Sequence, residues 1–137
     1  MTALLMIGCA GAHDLERIEL RFGAHVLHAR VADTPKERAA GLMGVTDLAA
    51  DEGMVFAYPE ASARFFWMKD TPTALSIVFC DVKGVIVAMA DLVPLDTTLT
   101  PSNQPAMFVV EAKKGWFAEH GVAVGDTVGG LPGRSEK

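Results

Sequence analysis

Phe65-Phe66-Trp67-Met68-Lys69-Asp70-Thr71-Pro72-Thr73-Ala74-Leu75-Ser76-Ile77-Val78-Phe79-Cys80-Asp81 is the stretch that decides the fold. It sets two runs of aromatic and β-branched residues, the types that suit a pleated and half-buried surface, around one short charged corner. Side chains alternate between faces along an extended chain, so Phe65, Trp67 and Lys69 share one face while Phe66 and Met68 share the other. The first face is predicted to be an aromatic platform ending in an ammonium, and the second to be core. Thr71 precedes Pro72 and is therefore pushed toward extended conformations, which ends the strand and presents Asp70 at its exit. In the second run Val78 and Cys80 alternate with Ile77 and Phe79, and neither side is polar. Such a strand is predicted to lie centrally in a sheet, covered on both faces.

Strands are predicted on either side of this stretch, at Met54 to Tyr58, Arg64 to Lys69, Ile77 to Asp81 and Val85 to Ala90. Asp81-Val82-Lys83-Gly84 supplies an acceptor at the start of a turn and a glycine for its left-handed position, as a short hairpin loop requires. Leu92 to Gln104, with Pro94, Pro101, Ser102 and Asn103, is predicted to be a long surface loop, because strand pattern resumes at Ala106-Met107-Phe108-Val109-Val110. Trp116 to His120 can form a helical turn ended by Gly121, and Val122 to Val128 is expected to close the fold through a Gly125-Asp126 turn. Toward the N-terminus, Ile18 to Phe22 and His25 to Val31 flank Gly23-Ala24 and form a candidate hairpin. Thr34, Pro35 and Glu37 make a capping box with proline at the first helical position, so a helix is predicted from Pro35 to about Met43, stopping near Gly44. The fold class is mainly β (α+β): a compact antiparallel barrel-like sandwich with one short helix near 35–43 and a helical turn near 116–120.

Chain length suits one domain, since a domain near this size buries roughly 68–70% of the surface its unfolded chain exposes. Half of the 137 residues are apolar and 21% are charged, enough apolar area for a single core without staples. The predicted organisation is an apolar N-terminal segment over residues 1–12, one β domain over 13–128 and a flexible tail over 129–137. Residues 1–12 resemble the end of an export signal, and the small residue before Cys9 resembles a lipoprotein cleavage site, so Cys9 is a candidate lipid anchor. The segment is too short to span a membrane. Exported, periplasmic or envelope-associated localisation is therefore expected, with the cytoplasm as the alternative. A net charge of −5 without any run of basic residues argues against nucleic acid as a partner.

Catalytic and metal signatures are sparse. His25 and His28 stand three apart on a strand and so face opposite sides, which prevents a shared ion, and no metal site or cofactor is expected. His120 suits a helix C-terminus, where its positive form is favoured. Ser62, Ser76 and Ser102 have no nucleophile elbow and no histidine at a recognisable spacing. Phosphate-cradling glycine patterns do not occur. Cys80 lies in an apolar run with no cationic neighbour and is predicted to be core; Cys9 sits far from it in type of surroundings, so no disulfide framework is indicated.

The candidate ligand-binding residues are Arg38, Trp67, Lys69, Asp70 and Glu111. In the functional reading Trp67 stacks on a ligand, Lys69 and Arg38 bind an anionic or polar group, and Asp70 or Glu111 accepts hydrogen bonds. The competing structural reading is an ion-pair network in which Arg38 or Lys69 neutralises Glu111 and Asp70 makes an Asx turn. Glu111 bears on the choice because it closes the apolar run from Met107 to Val110, where a buried carboxylate needs a partner. The residues leave both readings open.

The Phe66-Trp67-Met68-Lys69 motif followed by Thr71-Pro72, together with Arg38-Ala39-Ala40-Gly41-Leu42-Met43, Asp51-Glu52-Gly53-Met54-Val55-Phe56 and Val124-Gly125-Asp126, resembles the family called Domain of Unknown Function 192, common in bacteria and archaea. The resemblance runs from about Val26 to Val128 and implies no biochemical activity. Arg38 and Glu111 match positions of the family pattern. Ser76 stands where the family more often has aspartate, and Asp70 where it often has asparagine; the first change removes a carboxylate from any acid chemistry shared at this corner. The leading expectation is a non-enzymatic binding module of the bacterial envelope that recognises a small polar ligand or a partner protein. The alternative is a hydrolase or transferase using Asp70 or Glu111 as acid–base group, which requires one of them buried beside a cleft with a perturbed pKa. A purely structural partner domain, the third class, needs a broad exposed apolar patch.

Overall fold

A computed structural model describes residues 11–137 of the chain; the expectations on the export-like segment and on Cys9 fall almost wholly outside them. After a single 3-10 turn at Ala12–Asp14, eight strands and two short α-helices follow in order among the described residues: β1 (Arg17–Phe22), β2 (His25–Ala32), α1 (Pro35–Ala40), β3 (Glu52–Ser62), β4 (Phe65–Phe66), β5 (Leu75–Cys80), β6 (Ile86–Leu92), β7 (Thr100–Pro101), β8 (Ala106–Lys113) and α2 (Trp116–Glu119). Six strands form one sheet in the order β1-β2-β3-β8-β5-β6, and β4 pairs with β7 in a small second sheet.

Mainly β architecture is as the sequence implied, with two corrections. First, β2 pairs with β3 in parallel, His28 opposite Glu52 through Ala32 opposite Phe56, because α1 and the segment after it carry the chain back to the same end of the sheet. Second, the sheet is sandwich-like and does not close into a barrel. The segment after α2 runs between the sheet's two edges, where Gly129 bridges to Arg21 and Thr127 bridges to Val85.

Local signals act where they were expected. Thr34 Oγ1 accepts from the Glu37 amide at 3.2 Å while Glu37 Oε1 accepts from the Thr34 amide at 3.2 Å, closing the capping box. The helix stops at Ala40, sooner than expected, because Gly41 takes φ +50° and turns the chain. Asp81 Oδ1 accepts from the amides of Lys83 (2.8 Å) and Val85 (3.0 Å), and Gly84 takes φ +80°, completing the β5–β6 hairpin turn. α2 ends at His120, whose Nδ1 lies 2.6 Å from the Trp116 carbonyl oxygen. The C-terminal segment, expected as a flexible tail, sends the Ser135 amide to the Tyr58 carbonyl at 3.1 Å.

β5 is buried along its whole length, as its two-sided apolar pattern predicted. The core divides across the sheet. On one face Val55, Val78, Cys80, Phe108 and Val110 pack with Phe22, Trp116 and Phe117. On the other Met54, Phe56, Ile77, Phe79 and Val109 pack with Leu42, Leu48 and Met68. Each large side chain so buried contributes about 1.5–3 kcal/mol. Cys80 is free and buried among them, and burial, helped by Asp81, pushes its thiol up to about 12, which makes it an inert core residue.

One charge lies inside this core. Arg30 on β2 is 2% exposed, and Nη2 lies 3.6 Å from Glu52 Oε2, while Nε and Nη1 have no hydrogen-bond partner. Glu52 also receives the half-exposed Arg17 at 3.1 Å. Removing one partner of a buried pair strands the other charge at a cost of about 3–5 kcal/mol, whereas an exposed pair is worth about 0–1 kcal/mol. Urea denaturation should therefore show Glu52→Ala losing several kcal/mol and Arg17→Ala under about 1 kcal/mol; equal losses would show that Arg30 does not depend on Glu52.

Candidate functional site

β8 lies between β3 and β5, and its register places Glu111 between Met54 on one neighbour and Ile77 on the other. Both flanking residues are fully buried and apolar. Glu111 is itself 4% exposed and, among the described residues, makes neither a hydrogen bond nor an ion pair. Burial alone pushes its carboxyl up to about 8, so the group holds its proton at neutral pH. Gly53 makes this placement sterically feasible. A Cβ there would collide with the Glu111 carbonyl oxygen, so the two backbones approach more closely than any other residue would allow.

A cavity of about 160 Å³ opens on this face, lined by Arg38, Phe56, Tyr58, Trp67, Thr71 and Glu111, with residues 39–43 and both phenylalanines of β4 completing the wall. Arg38 projects from the last turn of α1. Nη1 donates to the Ala57 carbonyl at 3.0 Å and to Ser135 Oγ at 3.3 Å, and Nη2 donates to the Lys137 main-chain oxygen at 2.8 Å. Its guanidinium also sits 4.9 Å from the Tyr58 ring centroid, and that of Arg64 sits at 3.6 Å. Burial raises the Tyr58 phenol above its ordinary value; Arg64 and Arg38 oppose the shift, and Glu111 adds to it.

The aromatic corner keeps its predicted alternation without being a full strand. Phe65 and Trp67 are 61% and 43% exposed, whereas Met68 is buried. Only Phe65 and Phe66 pair as strand, because their partner is the two-residue β7 within the long loop. Thereafter the loop holds the corner by separate bonds, from the Met68 amide to the Asp96 carbonyl (2.7 Å) and from the Leu95 amide to the Thr71 carbonyl (3.1 Å). Ser102, one of the candidate hydroxyls, is fully buried and structural, accepting from the Arg64 amide at 2.9 Å and donating to the Gln104 carbonyl at 2.7 Å.

Of the five sequence-selected residues, Arg38, Trp67 and Glu111 converge on the cavity. Lys69 remains outside its lining, with Nζ 5.4 Å from the Trp67 ring centroid. Asp70 is exposed and enters by its backbone, at φ +53° with its carbonyl accepting from the Gly44 amide at 2.8 Å. Neither Arg38 nor Lys69 neutralises Glu111, so the expected ion-pair network is not what surrounds this acid. Ser76 is placed elsewhere altogether. It pairs with Ala112, on the face opposite to Glu111, donates to Asp91 Oδ1 at 2.6 Å and accepts from the Gly115 amide at 3.0 Å. A serine there takes no carboxylate out of the cavity.

Sequence reasoning missed Phe56, Tyr58 and Thr71 as lining residues. The period-two spacing of Met54, Phe56 and Tyr58 carried the signal, but it becomes a site only when β3 is registered against β8. Among the described residues no group of three His, Cys, Asp or Glu side chains is arranged to hold a metal ion, and no helix is long and apolar enough to cross a membrane.

Residues 18–130 match the family described as Uncharacterized ACR, Domain of Unknown Function 192, and the chain belongs to that family. Two solved structures share the fold. One, a protein from Sinorhizobium meliloti 1021 provisionally named a transcription regulator, is 30% identical, with a TM-score of 0.78 over 83% of this chain and 92% of that one. The other, a protein of unknown function from Novosphingobium aromaticivorans DSM 12444, is 33% identical, with a TM-score of 0.76 over 82% of each chain. No functionally curated protein matches the chain.

The raised carboxyl of Glu111 ties stability to pH with a definite sign. The folded chain holds this proton more tightly than the unfolded one, so the associated stability is complete below about 4.5 and is lost as pH rises toward about 8. Every tenfold difference in proton affinity between the two states corresponds to about 1.4 kcal/mol. Glu111→Gln should remove that loss, leaving the variant more stable than the parent by a few kcal/mol at pH 8.5 and not at pH 4. Denaturation midpoints that run parallel across this range would show that Glu111 is not the group responsible.

Proposed function

We propose that the protein is a non-enzymatic binding module that takes a small polar ligand into the cavity between α1, β3, β8 and the aromatic corner. The observation that carries this reading is Glu111, a buried residue whose carboxyl has no partner among the described residues, at the wall of a cavity that it shares with Arg38 and Trp67. A buried polar group without a bond is costly, and a ligand that bonds to it recovers that cost. The exposed indole of Trp67 offers a stacking surface at the mouth, with the Lys69 ammonium over it. Asp70 adds backbone geometry to the corner.

A second reading, a hydrolase or transferase, is favoured by one observation: a carboxyl raised to about 8 beside a cavity has the protonation behaviour of a general acid–base group. It rests on Glu111; Asp70 is exposed and lies outside the cavity lining. Binding is preferred because, among the described residues, no second carboxylate lines the same cavity, and its one aliphatic hydroxyl, that of Thr71, donates to the Lys69 carbonyl at 3.0 Å. The net charge of −5 disfavours direct nucleic-acid contact of the kind the Sinorhizobium neighbour's name suggests. Location in the bacterial envelope belongs to the same proposal and is supported by the apolar, small-residue stretch Met1 to Ala12; cell fractionation with and without Cys9→Ser tests it.

A thermal-shift screen of the protein against metabolites, saccharides, amines and organic anions tests the binding reading. A specific ligand at a hundredfold excess over Kd stabilises by about 2.7 kcal/mol. That shift should disappear in Trp67→Ala with the parent's fold retained by circular dichroism. A hit that survives Trp67→Ala lies elsewhere on the surface, and turnover of a hit that is abolished by Glu111→Gln would move the protein to the enzyme class.

A further inference from the structure

Resting on the reading of the cavity as a ligand site, we infer that the group it is built to take is a small ammonium head, whose charge meets Glu111 and whose alkyl surface meets the surrounding rings. Buried acids in folded proteins are ordinarily one half of a pair. Here no described residue supplies the other half: the buried Arg30, on the same face beyond Met54, has its ion pair with Glu52. The cationic side chain in the lining, Arg38, is committed to Ala57, Ser135 and Lys137 and makes no ion pair with Glu111. The side chains directly beside Glu111 on β3 and β5 are Met54 and Ile77, which offer nothing polar.

The walls point to the same chemistry. Phe56, Tyr58, Phe65, Phe66 and Trp67 all line the cavity, so half of the chain's ten aromatic residues (seven Phe, two Trp and one Tyr) share one cavity with this carboxyl. Aromatic faces attract cations, and a cage of rings with an acid is suited to alkylammonium groups. The corner already uses its rings in this way, with the Arg64 and Arg38 guanidiniums on Tyr58 and the Lys69 ammonium over Trp67. A neutral hydroxyl or carbonyl would satisfy Glu111 but would gain far less from the rings.

Charged neighbours do not preclude such a ligand. Arg64 has Glu60 at 3.5 Å, and Lys69 and Trp67 lie at the exposed mouth, where solvent screens them. Arg38 faces the cavity from α1 with its Nη groups held by carbonyl and hydroxyl oxygens. The volume of about 160 Å³ limits the head to about six heavy atoms, since an apolar cavity of about 150 Å³ holds benzene. On binding, the ammonium pairs with the Glu111 carboxylate, and the proton that Glu111 carried passes to solvent. No bond other than that O–H is broken.

Choline, tetramethylammonium and n-butylammonium are the probes, and 3,3-dimethylbutan-1-ol is the control, with the shape of choline and no charge. Isothermal titration of the full chain should give a choline affinity at least tenfold above that of the alcohol. The affinity should rise about tenfold per pH unit from pH 6 toward pH 8 and level off beyond, with matching proton release into buffers of different ionisation enthalpy. In Glu111→Gln, checked for an unchanged circular dichroism spectrum, both the preference and the pH slope should vanish. Equal binding of choline and the alcohol, or unaltered choline binding by Glu111→Gln, overturns the inference. If no ammonium probe binds but a neutral or anionic compound stabilises the protein in a Trp67-dependent way, the ammonium assignment fails and the binding module stands; if nothing binds, both fail.

Discussion

Every other feature of this protein depends on the position of β8 at the centre of the sheet. Hydrogen-bonded to β3 on one side and to β5 on the other, it has no free edge, and its residues alternate between two packed cores. Glu111 occupies one of the inward positions in this strand. The backbone ladder holds it there whatever its own preference for water, because a one-residue slip would reverse every side chain of β8. Gly53 then permits β3 to approach the strand at that level. A carboxyl is thereby kept in a place where it is unfavourable as an ion, which is how a stable scaffold can carry a reactive or sticky group.

Segments with little regular structure make the rest of the site. Residues 39–43 follow a helix of only six residues, and the aromatic corner is tied down by the loop between β6 and β8. These are weak elements alone. They are held because Met68, Leu42 and Phe56 bury their side chains in the same core as Ile77 and Phe79. On the far side of α1, Arg38 binds the segment 135–137 through oxygens of Ser135 and Lys137, while Ser135 Oγ also donates to the Asp33 carbonyl. The C-terminal residues thus buttress one wall of the cavity.

Some of this was legible beforehand. Thr34 with Glu37 and Asp81 with Gly84 are local devices: the partners lie within a few residues, so sequence spacing suffices to find them. Alternation correctly sent Phe65 and Trp67 outward and Met68 inward even though the strand proved shorter than expected. Lys69 and Asp70 stand outside the lining because regular pairing ends at Phe66, and beyond that point strand alternation no longer says where a side chain goes. Ser76 lies away from the corner for a related reason. Its face follows from pairing with Ala112, and pairing partners more than thirty residues apart leave no mark in local pattern.

What the amino-acid order determined by itself was therefore the set of short-range choices: a β-rich chain, a capped first helix turn, a tight hairpin after β5, a strand apolar on both sides, and a carboxylate ending an apolar run at Glu111. Those depend on dihedral preference and on hydrogen bonds between near neighbours, both of which are written into a few adjacent residues. Tertiary structure alone decided that β2 and β3 run parallel, that the rings of Phe56 and Tyr58 join those of the corner, and that Glu111 has no partner among the described residues. Each of these depends on register between distant strands, and register is chosen by the packing of the whole core at once.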